Sequence, residues 1–191
     1  WDQNGQKEDR PVSGSDFKSP QVWDSNFCIE AYFQTESKEA VLVQKMADRG
    51  YALSLDEAGR LLFAVRAPGA SSELTSSVPV NDGKWHHVIA EADRAAQKLT
   101  IYVDGREDST GPGIGSVSVD NDGDLFVCGT PNGRRLKGTV EFLRIALGTL
   151  QDAKTSIEEL YAWQFDGPFL RDFTGRRPQG KRDAGAIERL D

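Results

Sequence analysis

Short runs of alternating apolar and polar residues, interrupted by turn signals every eight to twelve positions, constrain this chain more than any other feature. From Asn26, Phe27, Ile29, Ala31 and Phe33 alternate with Cys28, Glu30 and Tyr32, which places the first set on a core face and the second on the opposite face of one strand. Val41–Lys45, Tyr51–Leu55 and Leu61–Val65 repeat the pattern, the last two joined by Asp56-Glu57-Ala58-Gly59. The clearest segment runs from Gly83 to Gly105: Trp85–Ala90 and Leu99–Val103 flank a polar turn, and the second run ends in Asp104-Gly105. Asp-Gly after such a run is a hairpin signal, because glycine takes a positive φ without steric cost. This spacing predicts an all-β sandwich and not a protein of alternating strands and helices.

Further strands are expected at Leu125–Cys128, after the turn Asp120-Asn121-Asp122-Gly123-Asp124, and at Gly138–Ala146. Ala67–Ser77 is small and polar and reads as a surface loop, and Asp108–Ser118 as a Gly/Ser-rich excursion. One helix is expected: Ser156 opens a capping box closed by Glu159, with Ile157, Leu160 and Tyr161 at helical spacing, before Phe165-Asp166-Gly167-Pro168 ends it. Residues 1–15, rich in Gly, Asp, Lys and Pro, read as a linker or lead-in segment.

At 191 residues the chain suits a single two-sheet domain. Its 23 basic and 30 acidic residues leave −7, which argues against nucleic acid as the main partner. Residues 171–191 hold six basic and four acidic side chains, so residues 166–191 form a basic tail suited to pack on the sandwich or on a neighbouring domain. Two cysteines, Cys28 and Cys128, are too few for a disulfide framework or a four-cysteine zinc site. Each lies in a strand-like run, where a small buried thiol is the expected state, with a single bridge between them left open. No apolar stretch approaches the ~20 residues of a membrane span. The start at Trp1 without methionine, and no signal-peptide pattern, suggest a processed or excised piece.

The order of the motifs carries a family likeness. FCIEAYF, then LVQK followed by GYALSLDEAGRLLFAV, then WHHV with YVDG, and finally GTVEFLRIALGTL with SIEELYAW together resemble a laminin G-like domain of the concanavalin A-like lectin/glucanase superfamily. The likeness spans roughly Phe27 to Trp163. It implies an all-β, two-sheet antiparallel jelly-roll sandwich over residues 16–165 with one short C-terminal helix, a secreted or extracellular location, and recognition of a glycan or protein. The closing DFTGRRPQGKRDAGAIE is similar to the ends of some bacterial β-helix and polysaccharide-degrading proteins, which suggests an adjacent catalytic or β-helix domain as a partner.

Several constellations bear on chemistry. Sandwich glucanases use a Glu-x-Asp-x-x-Glu-type strand, and no such string occurs; Glu91 and Asp93 share a face without the third acid and read as solvated acids on a hairpin arm. Adjacent strand residues face opposite ways, so His86 and His87 cannot serve one metal or one acid–base site; the resemblance makes one of them a buried partner of the sheet. Jelly-roll lyases combine a His and a Tyr with a charge-neutralising Arg, a set that His87, Tyr102 and Arg144 could supply. For a structural Ca²⁺, Asp120, Asp122 and Asp124 offer hard oxygens on one turn, although the string departs from the EF-hand loop. Asp16 and Glu141 are further ligand candidates, the latter on its place in the closing strand of the family.

Glycan recognition calls for an aromatic platform with polar groups around it. Trp23, in a polar stretch, is the expected platform, whereas Trp85 and Trp163 sit in core-like patterns. Arg66, Arg134, Arg135 and Arg144 are the candidate cations, since the planar guanidinium fork matches carboxylate and sulfate. The resulting expectation is a non-catalytic binding module for an acidic polysaccharide, within a larger secreted carbohydrate-active or adhesion protein. A polysaccharide lyase or glycoside hydrolase, and a purely structural accessory domain, are the alternatives.

Overall fold

The computed structural model describes residues 20–131 and 133–151. The expected linker over 1–15, the tail over 166–191, the helix opened by Ser156, Trp163 and Asp16 lie outside these residues.

Ten strands form two antiparallel five-stranded sheets among the described residues. Their bounds are β1 Phe27–Thr35, β2 Val41–Met46, β3 Gly50–Leu55, β4 Arg60–Ala67, β5 Ala70–Pro79, β6 Trp85–Asp93, β7 Lys98–Val103, β8 Arg106–Pro112, β9 Phe126–Val127 and β10 Gly138–Leu147. One sheet has the order β10-β1-β6-β7-β8 and the other β5-β4-β3-β2-β9. The chain crosses between the sheets after β1, β5, β8 and β9, so the turns collect at two opposite rims. β1 runs nine residues from one rim to the other, roughly 30 Å.

Alternation builds the core as expected. Phe27, Ile29, Ala31 and Phe33 of β1 are fully buried against Tyr51, Leu53, Leu55, Leu61, Phe63 and Val65 of the facing sheet. The Phe27 ring meets Tyr51 at 5.3 Å and Phe63 edge-on at 6.0 Å between centroids. Each such side chain contributes on the order of 2 kcal/mol through burial. The Asp104-Gly105 hairpin joins β7 to β8 with φ of 50° and 79°, both positive, which matches the right-handed twist of the flanking strands.

Two segments differ from expectation. Ala67–Ser77 was expected as a loop, yet Ala70–Pro79 is a strand, and Asp108–Ser118 begins inside β8. Both are edge strands, each hydrogen-bonded to one neighbour in its sheet, so they carry little apolar sequence. They adhere through the backbone ladder and small polar links. Ser76 Oγ accepts from Leu61 N at 2.9 Å beside the β4–β5 bulge, and Ser77 N donates to Asp108 Oδ2 at 2.6 Å, tying the two edges together. Cys28 and Cys128 are both thiols: Cys28 Sγ donates to Gly148 O at 3.4 Å from the outer face of β1, and burial pushes the Cys128 thiol up.

Candidate functional site

The candidate residues fall at three places. At the first rim, the β1–β2 loop (36–40) meets the segment 133–137 that leads into β10. Val41 N donates to Arg134 O at 3.1 Å, and Thr35 Oγ1 donates to Lys137 O at 2.7 Å, which fixes the two segments side by side. A cavity of about 510 Å³ between them is lined by Glu36, Ser37, Lys38, Glu39, Gly133, Arg134, Arg135 and Lys137. Four cations against two acids give it a net +2 in a chain of net −7. Arg134 is anchored by Nε to Glu39 O at 3.2 Å. An adjoining cavity of about 420 Å³ shares Glu36, Ser37 and Lys137 and adds Gln34, Thr35, Gly83, Gly138 and Thr139. Gly138 is required there, because a Cβ would lie 2.1 Å from Gln34 O.

The opposite rim holds Trp23 and the aspartate turn. Trp23 is 52% exposed at φ 49°, as its polar surroundings suggested, with its backbone N–H donating to Asp120 Oδ1 at 2.8 Å. A cavity of about 310 Å³ lies by Gln21, Asp48, Arg49, Asp120, Asn121 and Asp122. Several of the turn's oxygens already have partners. Asn121 Oδ1 accepts from Gly123 N at 2.9 Å, and the fully buried Lys45 donates from Nζ to Gly123 O at 2.8 Å, so an ammonium already sits at the turn. Among the described residues no three His, Cys, Asp or Glu side chains gather as a metal would need. Glu141 is the exposed extra residue of the β10 bulge, toward the first rim. These residues, as placed, do not fit a calcium cage. Arg66, near the end of β4, pairs with Glu73 at 3.3 Å on the exposed face of the second sheet.

The third place is the outer face of the first sheet. Glu30, 2% exposed, accepts from His87 Nε2 at 2.7 Å and from Arg144 at 3.0 Å, a buried three-residue network across β6, β1 and β10. His87 is thus the buried histidine that the family likeness implied. Glu91 was expected to be solvated, but it is 8% exposed and accepts from Leu150 N at 2.5 Å, because the chain after β10 turns onto this face. Burial pushes Tyr102 up to about 12, helped by the charges of Glu91 and Glu107. His86 lies at the first rim between Asp104 and Asp82, each 2.9 Å from one ring nitrogen. Burial alone would lower it, but the two carboxylates outweigh that and hold its pKa above the usual imidazole value.

Trp85 differs from its expected core position. Its parity on β6 matches His87 and Ile89, not Val88 and Ala90, so it stands on the outer face, 37% exposed, stacked on Tyr32 at 4.9 Å and 21°. The alternation in WHHVIAEA carried that signal, since Val88 and Ala90 fix the inward parity.

This architecture, two five-stranded sheets with cavities at the rims, defines a jelly-roll β-sandwich. Residues 12–154 match the laminin G-type profile described as the concanavalin A-like lectin/glucanases superfamily, and the chain belongs to that family. It is 29% identical over 111 residues, 54% of its length, to the basement membrane-specific heparan sulfate proteoglycan core protein of Mus musculus. The chain spans about 3% of the length of the curated relatives it matches. Among solved structures it is similar to mouse laminin alpha1 domains LG4-5, with TM-score 0.54 and 18% identity over 65% of this chain and 37% of that one. It is also similar to the Ruminococcus gnavus IT-sialidase CBM40 bound to alpha2,3 sialyllactose, with TM-score 0.54 and 16% identity over 65% of this chain and 77% of that one. No helix among the described residues is long and apolar enough to cross a membrane.

Proposed function

We propose that this domain is a non-catalytic carbohydrate-binding module for an acidic polysaccharide, carried by a secreted or extracellular protein. The observation that carries this reading is the convergence of Lys38, Arg134, Arg135 and Lys137 on one cavity of an otherwise acidic chain. Two arginine forks and two ammonium groups suit carboxylates or sulfates spaced along a polymer. A binding role is further supported by the names of the relatives: one structural neighbour is bound to sialyllactose, and one relative is a basement-membrane proteoglycan core. Binding rather than cleavage is favoured by the state of the titratable groups. A lyase base should titrate near neutral pH, whereas Tyr102 is pushed up to about 12. Glu30 and Glu91 are buried and committed to other groups.

Affinity electrophoresis in gels of polygalacturonate, alginate, carrageenan and neutral dextran tests the reading. Retardation by one or more acidic polymers, weakening with salt and absent in dextran, is the expected result. The double substitution Arg134→Ala/Arg135→Ala should weaken it about tenfold, on a loss of ~1.5 kcal/mol. Release of reducing ends or unsaturated products by purified protein would refute the non-catalytic reading. Migration unaffected by every acidic polymer would refute the ligand class.

A further inference from the structure

We propose that the outer face of the first sheet continues the cationic cavity as an aromatic subsite, on which Trp85 carries a pyranose ring of the bound acidic oligosaccharide. This rests on the binding reading above and adds to it a second contact of different chemistry.

The register places the two features edge to edge. Gln34 of β1 pairs with Trp85 of β6 on one side and Thr139 of β10 on the other. Gln34, Thr139 and Gly83 line the same cavity as Lys137, and Gln34 Nε2 donates to Gly83 O. One pleat further along the same face, roughly 7 Å away, Tyr32 stacks on Trp85 and pairs in register with Phe142. The Arg144 guanidinium lies 5.8 Å from the Phe142 centroid. Trp85, Tyr32 and Phe142 therefore form an aromatic row across three adjacent strands, beginning at the mouth of the cavity.

Exposure along this face gives the row its direction. Ile89, Cys28, Glu91, Glu30 and His87 point the same way and are all at most 8% exposed. Trp85 is 37% exposed at the end next to the cavity. A tryptophan serving only to pack would gain by joining its closed neighbours. Here one ring face is supported by Tyr32, which fixes its orientation while leaving indole surface for a ligand. A pyranose has an apolar C–H face to lay on such a ring and a rim of hydroxyls for Gln34 and Thr139. The carboxylate or sulfate of the next residue then reaches Lys137 and the arginine pair.

The test uses an acidic polysaccharide that retards the wild type, cut to a defined tetrasaccharide, with inorganic sulfate as a competitor that reports the cationic cavity alone. Calorimetry should show Trp85→Ala weakening the tetrasaccharide about tenfold, with Trp85→Phe within about threefold of wild type, by analogy with stacking on bases. The sulfate concentration that displaces a charged reporter from the cavity should be unchanged in both. Arg134→Ala/Arg135→Ala should weaken tetrasaccharide and sulfate alike. Wild-type tetrasaccharide affinity in Trp85→Ala, with loss confined to the arginine variant, would overturn the aromatic subsite and leave the binding reading standing. An equal loss in Trp85→Phe and Trp85→Ala, or a loss of sulfate binding in either, would also overturn it. No tetrasaccharide binding by the wild type, while the parent polymer still retards it, would overturn the aromatic subsite and leave the binding reading standing.

Discussion

Removal of the Glu30 carboxylate is the most discriminating perturbation of the sheet that carries the aromatic row. Glu30 is 2% exposed and accepts from His87 and Arg144, whose side chains are 9% and 24% exposed. Glu30→Ala leaves a buried imidazole and a partly buried guanidinium without their shared acceptor. Breaking a buried pair from one side costs about 3–5 kcal/mol, and the partial exposure of Arg144 places this case near 3. For a domain of this size that corresponds to a fall in Tm of about 6–12 °C. Glu30→Gln keeps the shape and one acceptor, so about 1–2 kcal/mol is expected. Urea unfolding followed by far-UV circular dichroism measures both, with an unchanged slope confirming a like-for-like comparison. A double-mutant cycle with Arg144→Ala should give a coupling of at least about 1 kcal/mol. A cost below ~0.5 kcal/mol for Glu30→Ala, or strict additivity in the cycle, would refute the network as a stabilising unit.

Two further outcomes follow from the rims. His86 holds its proton to higher pH than it would in the unfolded chain, so its contribution is complete below the ordinary value of 6.5 and fades as pH rises through the raised one. The urea midpoint should therefore drop as pH climbs above the ordinary imidazole value of 6.5, and His86→Gln should flatten that slope; an identical slope in the variant would exclude the Asp82–His86–Asp104 clamp as its source. At the other rim, the Lys45 ammonium sits on Gly123 O within the Asp120–Asp124 turn. Neither chelator nor millimolar calcium should move Tm, whereas Lys45→Met should lower stability by about 1–3 kcal/mol by orphaning that carbonyl; a calcium-dependent rise in wild-type Tm would refute this.

What could be read from the sequence depended on burial. Strands with one face in the core announce themselves by period two, and β1, β2, β3, β4, β6, β7 and β10 were legible for that reason. The edge strands β5 and β8 were not, because Ser, Thr and Glu there are held by ladder and hydroxyl bonds that leave no hydrophobic periodicity. Individual site residues were visible, but their grouping was not. Arg134 and Trp23 are both accessible cues, yet β1 separates their rims by its full length, a relation that exists only once the register is known. Lys38 and Lys137 escaped notice because ordinary surface lysines become a site only through their pairing across residues 36–40 and 133–137.

The same topology explains why one rim and not the other suits an acidic polymer. Both rims are built from turns, and turns favour Asp, Asn and Gly for their local hydrogen bonds. At the Trp23 rim those residues dominate: Asp48, Asp120 and Asp122 border the cavity with Arg49 as the nearby guanidinium, and the Lys45 ammonium is spent inside on a carbonyl. A polyanion meets repulsion there. At the other rim, β10 must approach β1 closely at Gly138, which draws the segment 133–137 with its three cations against the β1–β2 loop that carries Lys38. The long first strand pairs with Trp85 on one side and Phe142 on the other, so the close approach at Gly138 also brings charge and aromatic surface together. A substitution that opens that approach, such as Gly138→Val, should therefore disturb the cationic wall and the aromatic row at once.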